Sequence, residues 1–357
     1  MIFNDVLDKI DRGKLGLNKG LPMGFDRLVQ YVPGIQQGTY YLIGGETGSG
    51  KTAFTDNCFL YNPYDYIKSN PELKTKFKVF YWSLEIDKTI KITKAICRKL
   101  YLEHGIVTDI NFVLSRGKNR ISQEVYDKVV LSKDYFCGLE DCLQIIDAAE
   151  NPTGIYKFMQ QYARKNGTVY TKTVNYGNDS EGLQVFDKYV PNNPDEYVLI
   201  VVDHIALMKR ERGFSQKDNI DKMSEYLIPL RNNYNYIPVV VQQLGRGLSQ
   251  TDRFKLDRVE PQLSDFKDSG NTQQDANVVL SLFSPRKYEI ENFRGYDIIK
   301  LRDRFRSLSI LKNRDGAADA RIGLQFVGEV GNFREIPTAK DFKDNSSLYE
   351  KVTNIGN

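Results

Sequence analysis

Histidine and cysteine are scarce in this chain. Two histidines, His104 and His204, and four cysteines, Cys58, Cys97, Cys137 and Cys142, are spread over 357 residues. No zinc-ligand spacing can be assembled from them, and Cys137 and Cys142 flank Gly-Leu-Glu-Asp, the wrong gap for a metal knuckle. Reduced thiols, buried or on the surface, are the expected use of these cysteines. Long apolar runs are missing too. Nothing approaches the ~18–20 apolar residues that span a bilayer, and charges interrupt the apolar pattern of residues 1–14, unlike a secretory signal. A soluble protein in a reducing, cytoplasmic setting is expected. Charge of one sign is also lacking: 50 Lys and Arg stand against 46 Asp and Glu, and the net +4 neither argues for nucleic acid nor opposes it.

What is present is core-forming material. With 41% hydrophobic and 12% aromatic residues, the chain can bury one large α/β domain or two ordinary ones, which excludes global disorder. Ile2, Phe3, Val6, Leu7 and Ile10 paint one stripe on a predicted first helix, too short to be stable alone and therefore expected to dock on its own domain or on a neighbouring subunit. Glycine and proline punctuation over 16–24 reads as a linker. From residue 40 onward, short apolar runs at 40–43, 78–84, 197–202, 238–241, 278–282, 307–311 and 322–327 predict strands. Helical stretches at 88–104 and 219–233, the latter bent or interrupted at Pro229, separate some of them. This alternation predicts an α/β fold with a mostly parallel, twisted sheet covered by helices on both faces, and ligands in such sheets sit at the carboxyl ends of the strands. Residues 166–196 turn polar and read as a surface excursion containing a hairpin. Residues 338–357 read as a polar tail.

The strongest motif is GGETGSGKTAF at 44–54. From Gly45 to Thr52 it fits glycine, four residues, then Gly-Lys-Thr, the loop that cradles phosphates. A strand precedes it and a helix-compatible stretch follows. Backbone N–H groups of Gly45, Glu46, Thr47, Gly48, Ser49, Gly50, Lys51, Thr52 and Ala53 would converge on phosphate oxygens, aided by the helix N-terminus. Lys51 would reach the β- and γ-phosphates of ATP or another NTP, and the Thr52 hydroxyl would ligate Mg²⁺. A second metal ligand is expected at Asp203, where the apolar run YVLIVVD ends. Water activation needs a base, and the candidate is Glu85, closing VFYWSLE. Gln243 is placed to sense the γ-phosphate, with Gln242 as the competitor, since strand alternation points only one of the two at the site.

Taken together, these motifs resemble the carboxyl-terminal RecA-like motor of DnaB-type replicative helicases, over residues 21–335. The matching elements are GLPMGFDRL, GSGKTAF, SLE at 83–85, VVDHIALM and VVVQQLGR. The two most discriminating are LSDFKDSGNTQQDANVV at 263–279 and LKNRDG at 311–316. The resemblance implies that Lys312 and Arg314 reach the nucleotide of a neighbouring protomer, Arg314 as an arginine finger. It also implies that Lys267, Asp268, Ser269 and Gly270 hold single-stranded DNA through phosphate neutralisation and exposed backbone N–H groups. Arg246 is a further DNA candidate, as is the run Lys209, Arg210 and Arg212. A homo-hexameric ring, ATP and Mg²⁺, 5′ to 3′ travel, and primase or loader partners are implied as well.

Some features depart from that pattern. Lys267 and Asp268 stand where the family commonly has Arg and Glu, Gly245 replaces a polar residue, and Lys94 stands where an arginine is frequent. The gap between Glu85 and Asp203 is long, and 166–196 is expected to be the insertion that fills it. The amino-terminal collar is expected to be absent, with residues 1–20 as a linker-like docking helix, 21–337 as the motor, and a bacteriophage or mobile element as the source. Two other readings share the phosphate loop: a recombinase-like filament ATPase stimulated by DNA, and a non-catalytic nucleotide-dependent scaffold.

Overall fold

The computed structural model describes residues 2–174, 182–245, 259–266 and 270–354. Its first strand, β1 (Tyr41–Gly45), is buried along its whole length. Tyr41 and Ile43 enter one core and Leu42 the other, because successive side chains alternate across a sheet. The strands that follow are β2 (Lys76–Ser83), β3 (Leu143–Ile146), β4 (Gly167–Val174), β5 (Leu183–Pro191), β6 (Glu196–Asp203) and β7 (Ile237–Gln243). After them come β8 (Val278–Phe283), the short pair β9 (Asn292–Phe293) and β10 (Tyr296–Asp297), then β11 (Phe305–Asn313), β12 (Arg321–Val327) and β13 (Asn332–Glu335).

Nine of these form one sheet in the order β13-β12-β11-β8-β1-β7-β6-β2-β3. From β8 to β3 all neighbours are parallel, while β11, β12 and β13 add an antiparallel flank. In β2 and β6 the same alternation recurs: Val79, Tyr81, Leu199 and Val201 face one core, and Phe80, Trp82, Ile200 and Val202 face the other. Helices close both sides. Lys51–Asp56 and Lys133–Cys142 cover the first face through Phe54 and Leu139, and Pro152–Lys165 and Gln216–Tyr234 cover the second through Met159, Met223 and Leu227. Coverage on both faces explains why the sequence shows apolar runs rather than alternation. The expected α/β architecture is the one observed.

Several details differ from expectation. The Gln216–Tyr234 helix runs through Pro229 without a break; a proline removes one backbone donor, and burial of Leu227 and Leu230 on either side outweighs that loss. β3 and β13, four residues each, had no apolar run long enough to show. Residues 338–354 are not a loose polar tail. Short helices at Ala339–Asp344 and Leu348–Thr353 bury Phe342, Tyr349 and Val352 against Tyr296, Leu301 and Phe305. Three apolar residues among many polar ones suffice because they share one face.

Residues 167–191 contain the hairpin of β4 and β5, paired antiparallel outside the main sheet, with Phe186 and Tyr189 packed edge-on against Tyr234. The first helix, Ile2–Lys14, exposes Phe3, Val6, Leu7 and Ile10, and an ion pair from Arg12 to Asp195 tethers it. No helix among the described residues is long and apolar enough to cross a membrane.

Candidate nucleotide site

The parallel register brings the carboxyl ends of four strands to one edge. Gly45 of β1 lies level with Gln243 of β7, and Asp203 of β6 lies level with Ser83 of β2. A cleft of about 560 Å³ opens along this edge. Lys51, Thr52, Glu85, Asp203 and Gln243 all line it, so five residues chosen from the sequence meet in one cavity.

Backbone geometry builds the phosphate loop. Gly50 caps the Lys51–Asp56 helix at φ +94, and its absent side chain leaves room for the Phe333 ring, whose nearest atom would lie 2.8 Å from a Cβ there. Behind the loop, the buried Arg306 guanidinium of β11 donates to the Ser49 carbonyl at 3.2 Å. On its outer side Glu46 accepts from Tyr288 and, at 3.2 Å, from Lys287. The Lys51 ammonium donates to the Glu46 carbonyl at 2.9 Å. Burial lowers its pKa to about 8; Asp203, Glu85 and Glu46 oppose that shift, and Lys287 adds to it.

Thr52 Oγ1 donates to Asp203 Oδ1 at 3.3 Å, so the two expected metal ligands already touch. A hydroxyl and one carboxylate oxygen are hard donors that suit Mg²⁺, which holds on to several of its waters and asks few protein ligands. No cluster of three or more His, Cys, Asp or Glu occurs among the described residues. Glu85 is exposed to the cleft two residues past the end of β2. The neighbouring His204 imidazole is pushed down by burial, against the pull of Glu85 and Asp203.

Of the two glutamines, Gln243 lines the cleft. Gln242 is buried and accepts from Thr272 Oγ1 at 2.8 Å. Lys312 and Arg314 lie elsewhere. Asn313 of β11 pairs with Val278, which is level with Tyr41 at the start of β1, so both basic residues sit at the edge remote from the phosphate loop. The DNA candidates Lys267, Asp268, Ser269 and Arg246 lie outside the described residues. Gly270 begins the Gly270–Asp275 helix. Lys209, Arg210 and Arg212 are exposed just beyond the end of β6.

Sequence reasoning missed part of the cleft lining. Arg98, Asp109 and Ile110 line the cleft together with Phe326 and the β12–β13 turn from Gly328 to Gly331, and Phe326 and Gly331 lie against Gly50 and Ala53 of the loop. These residues come from separate elements and form no motif. Lys94, noted only as a departure, also lines the cavity.

Residues 183–335 match the model of the DnaB-like helicase C-terminal domain. Over that stretch the chain is similar to the carboxyl-terminal domain of DnaB-like helicases. The replicative DNA helicase DnaB of Mycoplasma pneumoniae is 24% identical over 335 residues, covering 92% of this chain and 59% of that one. The replicative DNA helicase DnaC of Bacillus subtilis is 23% identical, covering 88% and 56%. The chain thus spans a little under three fifths of the length of these curated relatives. Among solved structures, an ATPase domain superposes with TM-score 0.68 at 20% identity, over 94% of this chain and 98% of that one. The structure of a DnaB-like replicative helicase and its interactions with primase gives TM-score 0.62 at 19% identity, over 89% and 64%. These superpositions are likenesses of fold, and they cover more of the chain than the matched stretch does.

Proposed function

We propose that this chain is the ATP-driven motor of a ring-forming DnaB-type DNA helicase. The observation that carries this reading is the division of labour across the sheet. Lys51, Thr52, Glu85, Asp203 and Gln243 share one cleft, while Lys312 and Arg314 stand at the opposite edge, against the Gly270–Asp275 helix and away from their own phosphate loop. ATP bound in the cleft would place its phosphates on the 45–53 loop and Lys51, with Mg²⁺ held by Thr52 and Asp203. Glu85 would orient and deprotonate the attacking water, and Gln243 would sense the γ-phosphate. Arg314, with Lys312, would complete the site of the adjacent copy, since a guanidinium supplied in trans neutralises charge in the transition state.

Single-stranded DNA would run through the ring against Lys267, Asp268, Ser269 and Gly270, with Arg246 nearby. The exposed apolar stripe of the first helix, Phe3, Val6, Leu7 and Ile10, would dock on a second copy and hold the ring together. The family likeness supports a hexamer, 5′ to 3′ travel and a primase partner. Unwinding of forked DNA with ATP and Mg²⁺, assayed with either tail alone, tests the reading: one polarity should be unwound. ATP turnover that DNA does not stimulate, with no strand separation on either fork, would refute it.

A further inference from the structure

From Asp56 in the wall of the cleft a buried polar chain runs inward, and the proposed chemistry does not use it. The two oxygens of Asp203 have different partners. Oδ1 accepts from Thr52 at the cleft, and Oδ2 accepts from the Tyr81 phenol at 2.9 Å from inside the protein. Tyr81 is fully buried, on the neighbouring strand β2. Its hydroxyl has one proton to give and a second carboxylate within reach, that of Asp56. Asp56 is itself engaged: the Lys91 ammonium donates to both its oxygens, at 2.9 and 3.0 Å, and lies 3.6 Å from the centroid of the Tyr81 ring. Lys91 is 2% exposed, so a buried cation, a buried anion and a phenol face stack directly behind the metal-ligand candidate.

Each member has a physical consequence. A carboxylate gripped at one oxygen from behind cannot rotate, and its other oxygen is left aimed at the Thr52 hydroxyl. A buried carboxylate without a counter-charge would compete for the Tyr81 proton; Lys91 occupies Asp56 and removes that competition. An ion pair this deep is costly to desolvate and is weak evidence for stability alone, so its placement calls for another role.

We propose that Tyr81 is a positioning residue for Asp203, and that the Lys91–Asp56 pair keeps the phenol proton directed to it. The inference rests on the reading of the cleft as a Mg²⁺-nucleotide site. Loss of a partner behind a metal ligand typically costs roughly 10- to 100-fold in metal affinity. The test uses the whole chain with fluorescent ADP, and Mn²⁺ binding to the ADP complex followed by electron paramagnetic resonance. Y81F should weaken Mn²⁺ by that factor while ADP affinity in EDTA stays at the parent level. Parent-level Mn²⁺ affinity in Y81F overturns the inference, as does an equal loss of ADP binding in EDTA, which would mark a packing role. Failure of the parent protein to bind ADP at all overturns the cleft reading and this inference together. Should Y81F not fold, a second comparison decides. K91M alone, leaving Asp56 to compete for the proton, should weaken Mn²⁺, and K91M/D56L should recover most of the loss; no recovery overturns the proposal.

Discussion

Arg314 Nη2 donates to the backbone carbonyl of Gln274 at 2.5 Å, one residue before the end of the Gly270–Asp275 helix. Lys312 donates to the same carbonyl and to that of Gln273, at 2.7 and 2.8 Å. In the isolated chain both basic residues therefore rest on the helix that follows the expected DNA loop. Cations are favoured at a helix C-terminus, but at an exposed site this is worth only about 0.3–1 kcal/mol. A neighbour's triphosphate would be a stronger partner.

Arg314→Ala should accordingly lower DNA-stimulated ATP turnover by roughly 10³-fold or more, the usual value of an arginine finger. Glu85→Gln should bind nucleotide without turning it over. Mixing the two variants should restore part of the activity, because interfaces pairing an intact Glu85 with an intact Arg314 then form. Mixed rings that stay inactive would remove the trans role.

Proton uptake checks Lys51. Its pKa in the free fold, about 8, lies below the ordinary 10.5 because burial disfavours the ammonium. Triphosphate oxygens favour the charged form and must raise it again. Near pH 8 nucleotide binding should then take up a proton, and the calorimetric enthalpy should vary with the ionisation enthalpy of the buffer. At pH 6.5 Lys51 is already protonated and the dependence should shrink. For stability the sign runs the other way from a raised lysine. Between about 8 and 10.5 the unfolded chain holds a proton that the fold releases, so this group's contribution rises with pH there. Buffer-independent enthalpies at pH 8 would count against phosphate contact by Lys51.

The first helix gives an assembly prediction. Val6 and Ile10 lie one turn apart and are 44% and 50% exposed, so a charge on either costs the isolated chain little. Val6→Asp with Ile10→Asp should leave the thermal midpoint of the monomer in place and shift sedimentation from rings toward single subunits. Intact rings would show that the stripe is not the ring contact.

The motifs exposed part of the cleft because each is local. A strand, a glycine-rich turn and a helix start are contiguous at 44–54, and Glu85 and Asp203 each close an apolar run. The choice between Gln242 and Gln243 needed coordinates, since alternation says only that they differ and not which faces in. Tyr81, Arg306 and the Gly328–Gly331 turn were illegible for another reason. They reach the site from strands whose sequence reads only as core, and their partners stand far away along the chain. The carboxyl-terminal segment failed differently: its polar composition hid three residues on one face.

That last segment supplies a stability test. Phe342 is 1% exposed and packs against the rings of Tyr296 and Tyr349, at centroid distances of 5.8 and 4.5 Å. Removing a buried aromatic side chain costs about 3–5 kcal/mol where the cavity cannot collapse. The two short helices cannot stand alone, so part of this loss should appear as their local release rather than as global unfolding. Phe342→Ala should therefore speed hydrogen exchange over residues 339–353 before the thermal midpoint has fallen by the full amount. The same substitution unseats the core that holds Phe305, next to Arg306 at the back of the phosphate loop, so nucleotide affinity should weaken with it. If exchange stays slow and nucleotide affinity holds, the segment is a passenger on the motor rather than part of its frame.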